Sequence, residues 1–217
     1  MKIESLNCEQ KTDRSRVNVN MKSNVTDLRH LTANPIQIAV LSDTHGLVDP
    51  RISDLVSKST LAIHAGDIGS ASVLNELSPK MGKVVAVRGN NDNASNWDAS
   101  ESYLLEFIPL VQHILLTSGT ITVEHGHTVR NASRYHEELR ARHPDSRLVV
   151  YGHTHHRVID QEQRPWVINP GAAGRVRTQG GPSCLVIELS QDDWQIKEFC
   201  FKPIQRRSVT YSKKSVY

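Results

Sequence analysis

Ile36-Gln37-Ile38-Ala39-Val40-Leu41 runs directly into Ser42-Asp43-Thr44-His45-Gly46, and this junction decides the fold. An apolar stretch this short, broken only by Gln37 and ending on Asp, His and Gly, reads as a strand buried on both faces that delivers a polar loop at its carboxyl end. The unit then recurs. Asp49-Pro50 supplies a cap and a first-turn proline for a helix whose apolar face is Ile52, Leu55 and Val56. Leu61-Ala62-Ile63 leads into His64-Ala65-Gly66-Asp67, and Val73, Leu74 and Leu77 mark a helix that stops near Pro79. Val84-Val85-Ala86-Val87 leads into Gly89-Asn90-Asn91-Asp92. Alternation of strand, polar motif and helix predicts a parallel sheet with its ligands at the carboxyl ends of the strands.

The second half reads differently. Leu110–Leu116 and Thr120–Val123 flank Ser118-Gly119, which predicts a hairpin. A helix is expected over Asn131–Arg142, ending before Pro144. Leu148-Val149-Val150-Tyr151 reads as another buried strand, and Trp166–Ile168, Ser183–Leu189 and Trp194–Phe201 are expected to complete a mainly antiparallel set. Two sheets packed face to face with helices outside is the predicted architecture.

At 217 residues, with 38% hydrophobic and 23% charged residues, the chain suits one globular domain with tails. No apolar stretch approaches a membrane span and no secretory signal is apparent, so a cytoplasmic protein with no membrane partner is expected. Residues 1–34 are polar and read as a loosely ordered extension, with Met21 an alternative start; the domain proper is placed at 35–202 and a basic tail at 203–217. Residues 1–34 carry +2 and residues 203–217 carry +4, so of the net +3 the remainder holds −3. Basic charge therefore lies in the tails, which argues against an extended nucleic-acid groove. Cys8, Cys184 and Cys200 have no metal-ligand spacing; the last two read as small hydrophobes in strands.

Seven of the eleven histidines fall inside short motifs that also carry Asp, Asn or Gly. To the three motifs already quoted the second half adds His125-Gly126-His127 and Gly152-His153-Thr154-His155-His156. Hydrolysis of a phosphate ester needs a strong nucleophile and neutralised phosphoryl oxygens, and two neighbouring divalent ions supply both. Asp43 and His45 can turn toward one ion; Asp67, at the end of the next strand, is placed to bridge; Asn90 offers an amide oxygen. His125, His153 and His155 would close the shell. Carboxylate, imidazole and amide donors suit Mn²⁺, Zn²⁺ or Fe, with Ni²⁺ also admitted. Gly66, Gly89, Gly126 and Gly152 would let strand ends turn sharply and let phosphate approach the backbone.

These motifs, in this order across residues 36–200, resemble the calcineurin-like metallophosphoesterase superfamily, whose pattern is D-x-H, G-D, G-N-[HDN]-[DE], a later histidine and G-H-x-H. The size, the H-G-H triplet and Ile168-Asn169-Pro170-Gly171 are most similar to its compact YfcE-type phosphodiesterases, a branch to which the retromer subunit Vps29 is related. The resemblance implies a four-layer α/β/β/α sandwich of two mixed sheets and a dinuclear site whose hydroxide hydrolyses a small phosphorylated substrate. It implies one metal, Mn²⁺ foremost, on Asp43, His45, Asp67 and His155, and a second on Asp67, Asn90, His125 and His153. A homodimer is a further expectation from the resemblance.

One departure matters. Many members carry histidine where this chain has Asn91, which has no proton of suitable pKa to give. Activity is then expected to favour good leaving groups or to depend on another acid, His127. Phosphomonoester or nucleotide hydrolysis is the close competitor. A Vps29-like scaffold is the non-catalytic one, although Asp67 and Asn90, which scaffolds typically lose, are both present. A metal sensor or store is a third reading. His64 reads as a satisfied structural histidine, His156 as an exposed neighbour, and Asp92 as a support for Asn90 or for its turn. Asn169-Pro170-Gly171 reads as a turn near the site. In loops 93–106 and 172–182, Trp97, Tyr103, Arg175 and Arg177 could touch a base or phosphate, with surface packing the default.

Overall fold

A computed structural model describes residues 23–31, 35–175, 177–190 and 193–203. Its strands are β1 (Val25–Asp27), β2 (Ile36–Leu41), β3 (Leu61–His64), β4 (Val84–Ala86), β5 (Val111–Leu116), β6 (Gly119–Glu124), β7 (Leu148–Val150), β8 (Arg157–Asp160), β9 (Trp166–Pro170), β10 (Ser183–Ser190) and β11 (Asp193–Cys200). The α-helices are α1 (Pro50–Lys58), α2 (Ala71–Glu76) and α3 (Tyr135–Arg142). One sheet has the order β11-β10-β2-β3-β4 and the other β1-β5-β6-β7-β9-β8. Both are mixed, as expected.

The alternation along β2 explains the layering. Ile38 and Val40 join Ile63, Val85, Ile121, Val123, Leu148 and Ile168 in the core between the sheets, while Ala39 and Leu41 face the layer of α1 and α2 with Ile52, Val56 and Leu74. Val149, Tyr151 and Val167, on the other face of the second sheet, pack under Leu139 of α3. Helix, sheet, sheet, helix is the result. The cap of α1 forms as the sequence suggests: the Asp49 carboxylate accepts from Arg51 N and Pro50 opens the helix.

Three sequence expectations give way. Strand β9 pairs parallel with β7, and β7 parallel with β6, so the middle of the second sheet is not antiparallel. Strand β10 leaves that sheet altogether and pairs antiparallel with β2, setting Leu185 beside Val40 and Ile187 beside Ile38. Its burial on both faces makes it an interior strand, and the more exposed β11 takes the edge. The expected helix over Asn131–Arg142 begins as a short 3-10 turn, Ala132–Arg134, before α3.

The segment expected as a loose extension also contributes to the fold. Within it β1 pairs parallel with β5, Leu28 is buried in the inter-sheet core, and buried Gln112 donates through Nε2 to Thr26 Oγ1 at 3.0 Å. Residues 1–22 and 204–217, with the start and tail expected there, lie outside the described residues.

Because Leu28 is only 2% exposed, Leu28→Ala should cost about 2–5 kcal/mol of unfolding free energy in urea titration. A change below about 0.5 kcal/mol, the size of an ordinary surface substitution, would show that the N-terminal segment is not part of the cooperative unit.

Candidate metal centre

Six described residues other than glycine have left-handed backbone: Asp43 (φ 54°), His45 (47°), Asp67 (53°), His153 (66°), His155 (58°) and Arg177 (53°). The first five are candidate ligands. Such a conformation is unfavourable for residues with a Cβ, by roughly 1–2 kcal/mol each, and persists only where the surroundings impose it. Here they do. Asp43 N donates to Gly66 O and His45 N to Asp67 O, each at 3.0 Å, while His153 N donates to Asp43 Oδ2 at 3.1 Å. The loops after β2, β3 and β7 thus hold one another, and the twisted strand ends aim their side chains inward.

The result is a convergence of lone pairs. His155 Nε2 lies 3.3 Å from Asp43 Oδ1 and 3.3 Å from His45 Nε2; His45 Nε2 lies 3.9 Å from Asp67 Oδ2. On the other side His125 Nε2 is 3.4 Å from Asp67 Oδ1. Asp43, His45 and His155 form one group whose ligand atoms all lie within 4.8 Å of one another, and Asp43, Asp67 and His125 form another. Asp43 is common to both, and Asp67 reaches toward His45 as well as His125.

The donor set fits divalent cations. Asp43 Oδ1 and His125 Nε2 are buried and have no hydrogen-bond partner. Nδ1 of His125 lies 2.8 Å from Ala65 O, so the proton sits there and the Nε2 lone pair points at the Asp67 carboxylate. A lone pair facing a carboxylate is repulsive without a cation between them. Burial opposes charge on His125, yet the carboxylates of Asp67 and Asp43 raise its pKa, so a proton and a metal ion compete for the same space. Burial pushes the pKa of Asp67 up, but the charge and hydrogen bond of His125 when its Nε2 also carries a proton, with the bonds from Asn91, outweigh it and hold that carboxyl well below the usual range. Burial lowers the pKa of His45, His127 and His153, which keeps these imidazoles neutral and able to ligate.

The remaining expected residues stand around this centre. His153 is exposed, its ring 5.3 Å from that of His125; His127 is partly buried, 5.5 Å from His125, and its buried Nδ1 has no partner. Asn90 is exposed on the turn after β4. Asn91 is committed to a carboxylate: its backbone N donates to Asp67 Oδ1 at 2.9 Å and its Nδ2 to Oδ2 at 2.6 Å. It positions Asp67. His156 is exposed, as expected.

The turn support expected of Asp92 is present and reaches further, and other supports carry no signal in the sequence. Asp92 accepts from four donors: Ile68 N, Gly69 N, Gly89 N and Trp97 Nε1, all at 2.8–3.1 Å. It ties the loop after β3 to the loop after β4, and it explains Trp97, which is buried and makes no surface contact. Ser42 donates to Asp43 Oδ2 at 2.6 Å. Asn169 donates to Gly152 O at 2.7 Å and to Thr154 Oγ1 at 3.1 Å, latching the loop that carries His153 and His155. Gly89 and Gly152 are required for a reason different from the one expected. A Cβ on Gly89 would fall 2.1 Å from Asp67 Oδ1, and one on Gly152 would fall 2.0 Å from Ser42 Oγ and 2.9 Å from Asp43 Oδ2. The side chains of Asp67, Ser42 and Asp43, rather than phosphate, occupy that room. His64 is fully buried; because Thr44 Oγ1 already donates to Ile68 O at 2.8 Å, His64 Nε2 donates to Thr44 at 2.9 Å.

Comparison with known proteins agrees with this geometry. Residues 36–192 match the family model of the calcineurin-like phosphoesterase superfamily domain. The chain belongs to that superfamily. Among relatives, it is 28% identical over 171 residues to Phosphodiesterase MJ0936 of Methanocaldococcus jannaschii, covering 74% of this chain and 97% of that protein. The probable metallophosphoesterase MJ0623 of the same organism is 29% identical, covering 72% and 76%. The solved structure of a single mutant of Vps29 from Entamoeba histolytica shares the fold with a TM-score of 0.60 at 16% identity, covering 77% of this chain and all of that one. These likenesses place the superfamily member in the compact branch expected from its motifs, and the family supports divalent metal ions at the site.

Asp92→Asn puts an amide NH₂ against two of the N–H donors that the carboxylate satisfies. It should destabilise the protein by about 2–4 kcal/mol in denaturant titration and lower metal stoichiometry; unchanged values would show that the hub is dispensable. His64 provides a pH test. Burial lowers its pKa from the ordinary 6.5 to about 4, so the unfolded chain binds the proton more readily than the folded one. Its contribution is complete above 6.5 and is lost as pH falls toward 4. Metal-free protein should lose stability across that window, and His64→Gln should flatten the slope; equal slopes would contradict the assignment.

Proposed function

We propose that this superfamily member is a metal-dependent phosphodiesterase that holds two divalent ions, Mn²⁺ foremost, and hydrolyses a small phosphorylated substrate in the cytoplasm, working as a homodimer. The observation that carries the reading is the convergence of carboxylate and imidazole donors on Asp43, with buried Asp43 Oδ1 and His125 Nε2 left without hydrogen-bond partners. When bound, a pair of divalent ions neutralises phosphoryl oxygens and lowers the pKa of water enough to make it a nucleophile at neutral pH.

The chain's own residues do the rest. Asp43, His45 and His155 would hold one ion, and Asp67 and His125, with His153 and Asn90 from the rim, would hold the other. Asn91 keeps both Asp67 oxygens in place. His127, on the rim beside His125, gives a proton to the leaving oxygen only from its imidazolium form, which burial disfavours, so protonation of the leaving group at neutral pH is weak. The absence of an imidazole at position 91 favours esters whose leaving group needs little protonation, and a relative named as a phosphodiesterase supports the choice of diester.

The test uses metal-depleted full-length protein supplied with Mn²⁺. Bis-p-nitrophenyl phosphate should be cleaved faster than p-nitrophenyl phosphate. Asp67→Asn, folded by circular dichroism, should lose at least about a hundredfold, since even outer partners of metal ligands are worth 10–100-fold. His127→Ala should slow esters with poor leaving groups most. Bound metal without turnover on either ester would replace this reading with a scaffold of the Vps29 kind.

A further inference from the structure

The sixth left-handed residue, Arg177, is not a metal ligand, yet its Nη2 lies 3.3 Å from His45 Nε2. It is exposed, and among the described residues that imidazole is its one polar contact. The loop that carries it is anchored beside the first motif. Ala173 N donates to Ser42 O at 2.8 Å, Asp49 N donates to Ala173 O at 3.0 Å, and a Cβ on Gly174 would fall 2.4 Å from Thr44 O. From that anchor the neighbouring Arg175 lies in the field of the Asp49 carboxylate, while Arg177 takes the unfavourable backbone turn that brings its guanidinium over the metal centre. The two arginines are thus separated in place by backbone geometry.

A guanidinium in that place has a specific electrostatic consequence. Nε2 of His45 is a donor to a cation, so a loaded site places two positive groups within a few ångströms. They repel one another unless an anion lies between. A phosphoryl group meets both needs, because one non-bridging oxygen can face the metal side while another accepts from the planar fork of an arginine.

We propose that Arg177 is a phosphoryl clamp: it binds a non-bridging oxygen of the ester and orients it over the centre formed by Asp43, His45 and His155. The proposal rests on the phosphoesterase reading above for its substrate class. It also supplies the phosphate contact that Asn91, bonded through its amide to Asp67, is not free to make. Because an arginine gives no proton at neutral pH, the clamp serves binding and charge neutralisation and leaves protonation of the leaving group to another residue.

The decisive measurement needs no turnover. Inorganic phosphate is titrated calorimetrically onto the Mn²⁺-loaded full-length protein, with Arg177→Ala, Arg177→Lys and the neighbouring Arg175→Ala compared at equal metal content. Arg177→Ala should weaken phosphate binding by about tenfold or more. Arg177→Lys should restore part of it and Arg175→Ala should match the parent. In diester assays the same variant should raise KM and the phosphate inhibition constant together. Unchanged phosphate affinity in Arg177→Ala overturns the clamp, as does loss of metal from that variant, which would make Arg177 a support for His45. Failure of the parent protein to bind phosphate also overturns it. An inactive parent whose phosphate binding still depends on Arg177 would instead retain the clamp and remove the hydrolase.

Discussion

Two carboxylates buried side by side are the constraint around which this molecule is organised. Asp43 is fully buried and Asp67 is 2% exposed, and their oxygens belong to one compact group with His125 Nε2. Charges taken out of water must be compensated nearby or they unfold the protein. The chain compensates them with hydrogen bonds from Ser42, Asn91 and the His153 amide, and with imidazoles whose lone pairs leave room for cations. That is why the strand ends twist into left-handed turns at five candidate ligand positions. The strain is the cost of aiming short side chains at one place, and the sandwich behind it is rigid enough to bear it.

Rigidity comes from the way loops are cross-tied rather than from the loops themselves. Asp92 gathers four donors from separate turns, Asn169 latches the loop after β7, and Ala173 bridges Ser42 and Asp49. Each tie uses a buried polar group to satisfy backbone that would otherwise be orphaned near the core. The same ties leave little room, so that Gly89 and Gly152 are dictated by contact with the carboxylates they adjoin. Supporting residues and candidate ligands form one hydrogen-bonded network.

Much of this was legible beforehand. The run Ile38–Leu41 into Asp43 and His45, and its echo at Ile63 into Asp67, mark parallel strands because burial on both faces leaves no alternating polar residues. The five motifs name the ligand types by chemistry alone. Other features carried no local signal. Strand β10 is as apolar as a strand of either sheet, and its partner β2 lies far away in sequence. The three residues of β1 are too few to show a period. Asp92 and Asn169 look like ordinary turn residues until their donors arrive from other loops.

The sequence by itself determined the class of chemistry and the strands that deliver it, because apolar periodicity and donor type are local properties of the chain. Only the tertiary structure decided which sheet takes β10, that residues before Pro35 complete the second sheet, and that Asp43 is shared by both ligand groups. It alone turned Arg177 toward His45 while leaving Arg175 near Asp49. These outcomes depend on register and on backbone conformation at single residues, where distances of an ångström separate a ligand from a bystander, and no spacing along the chain encodes them.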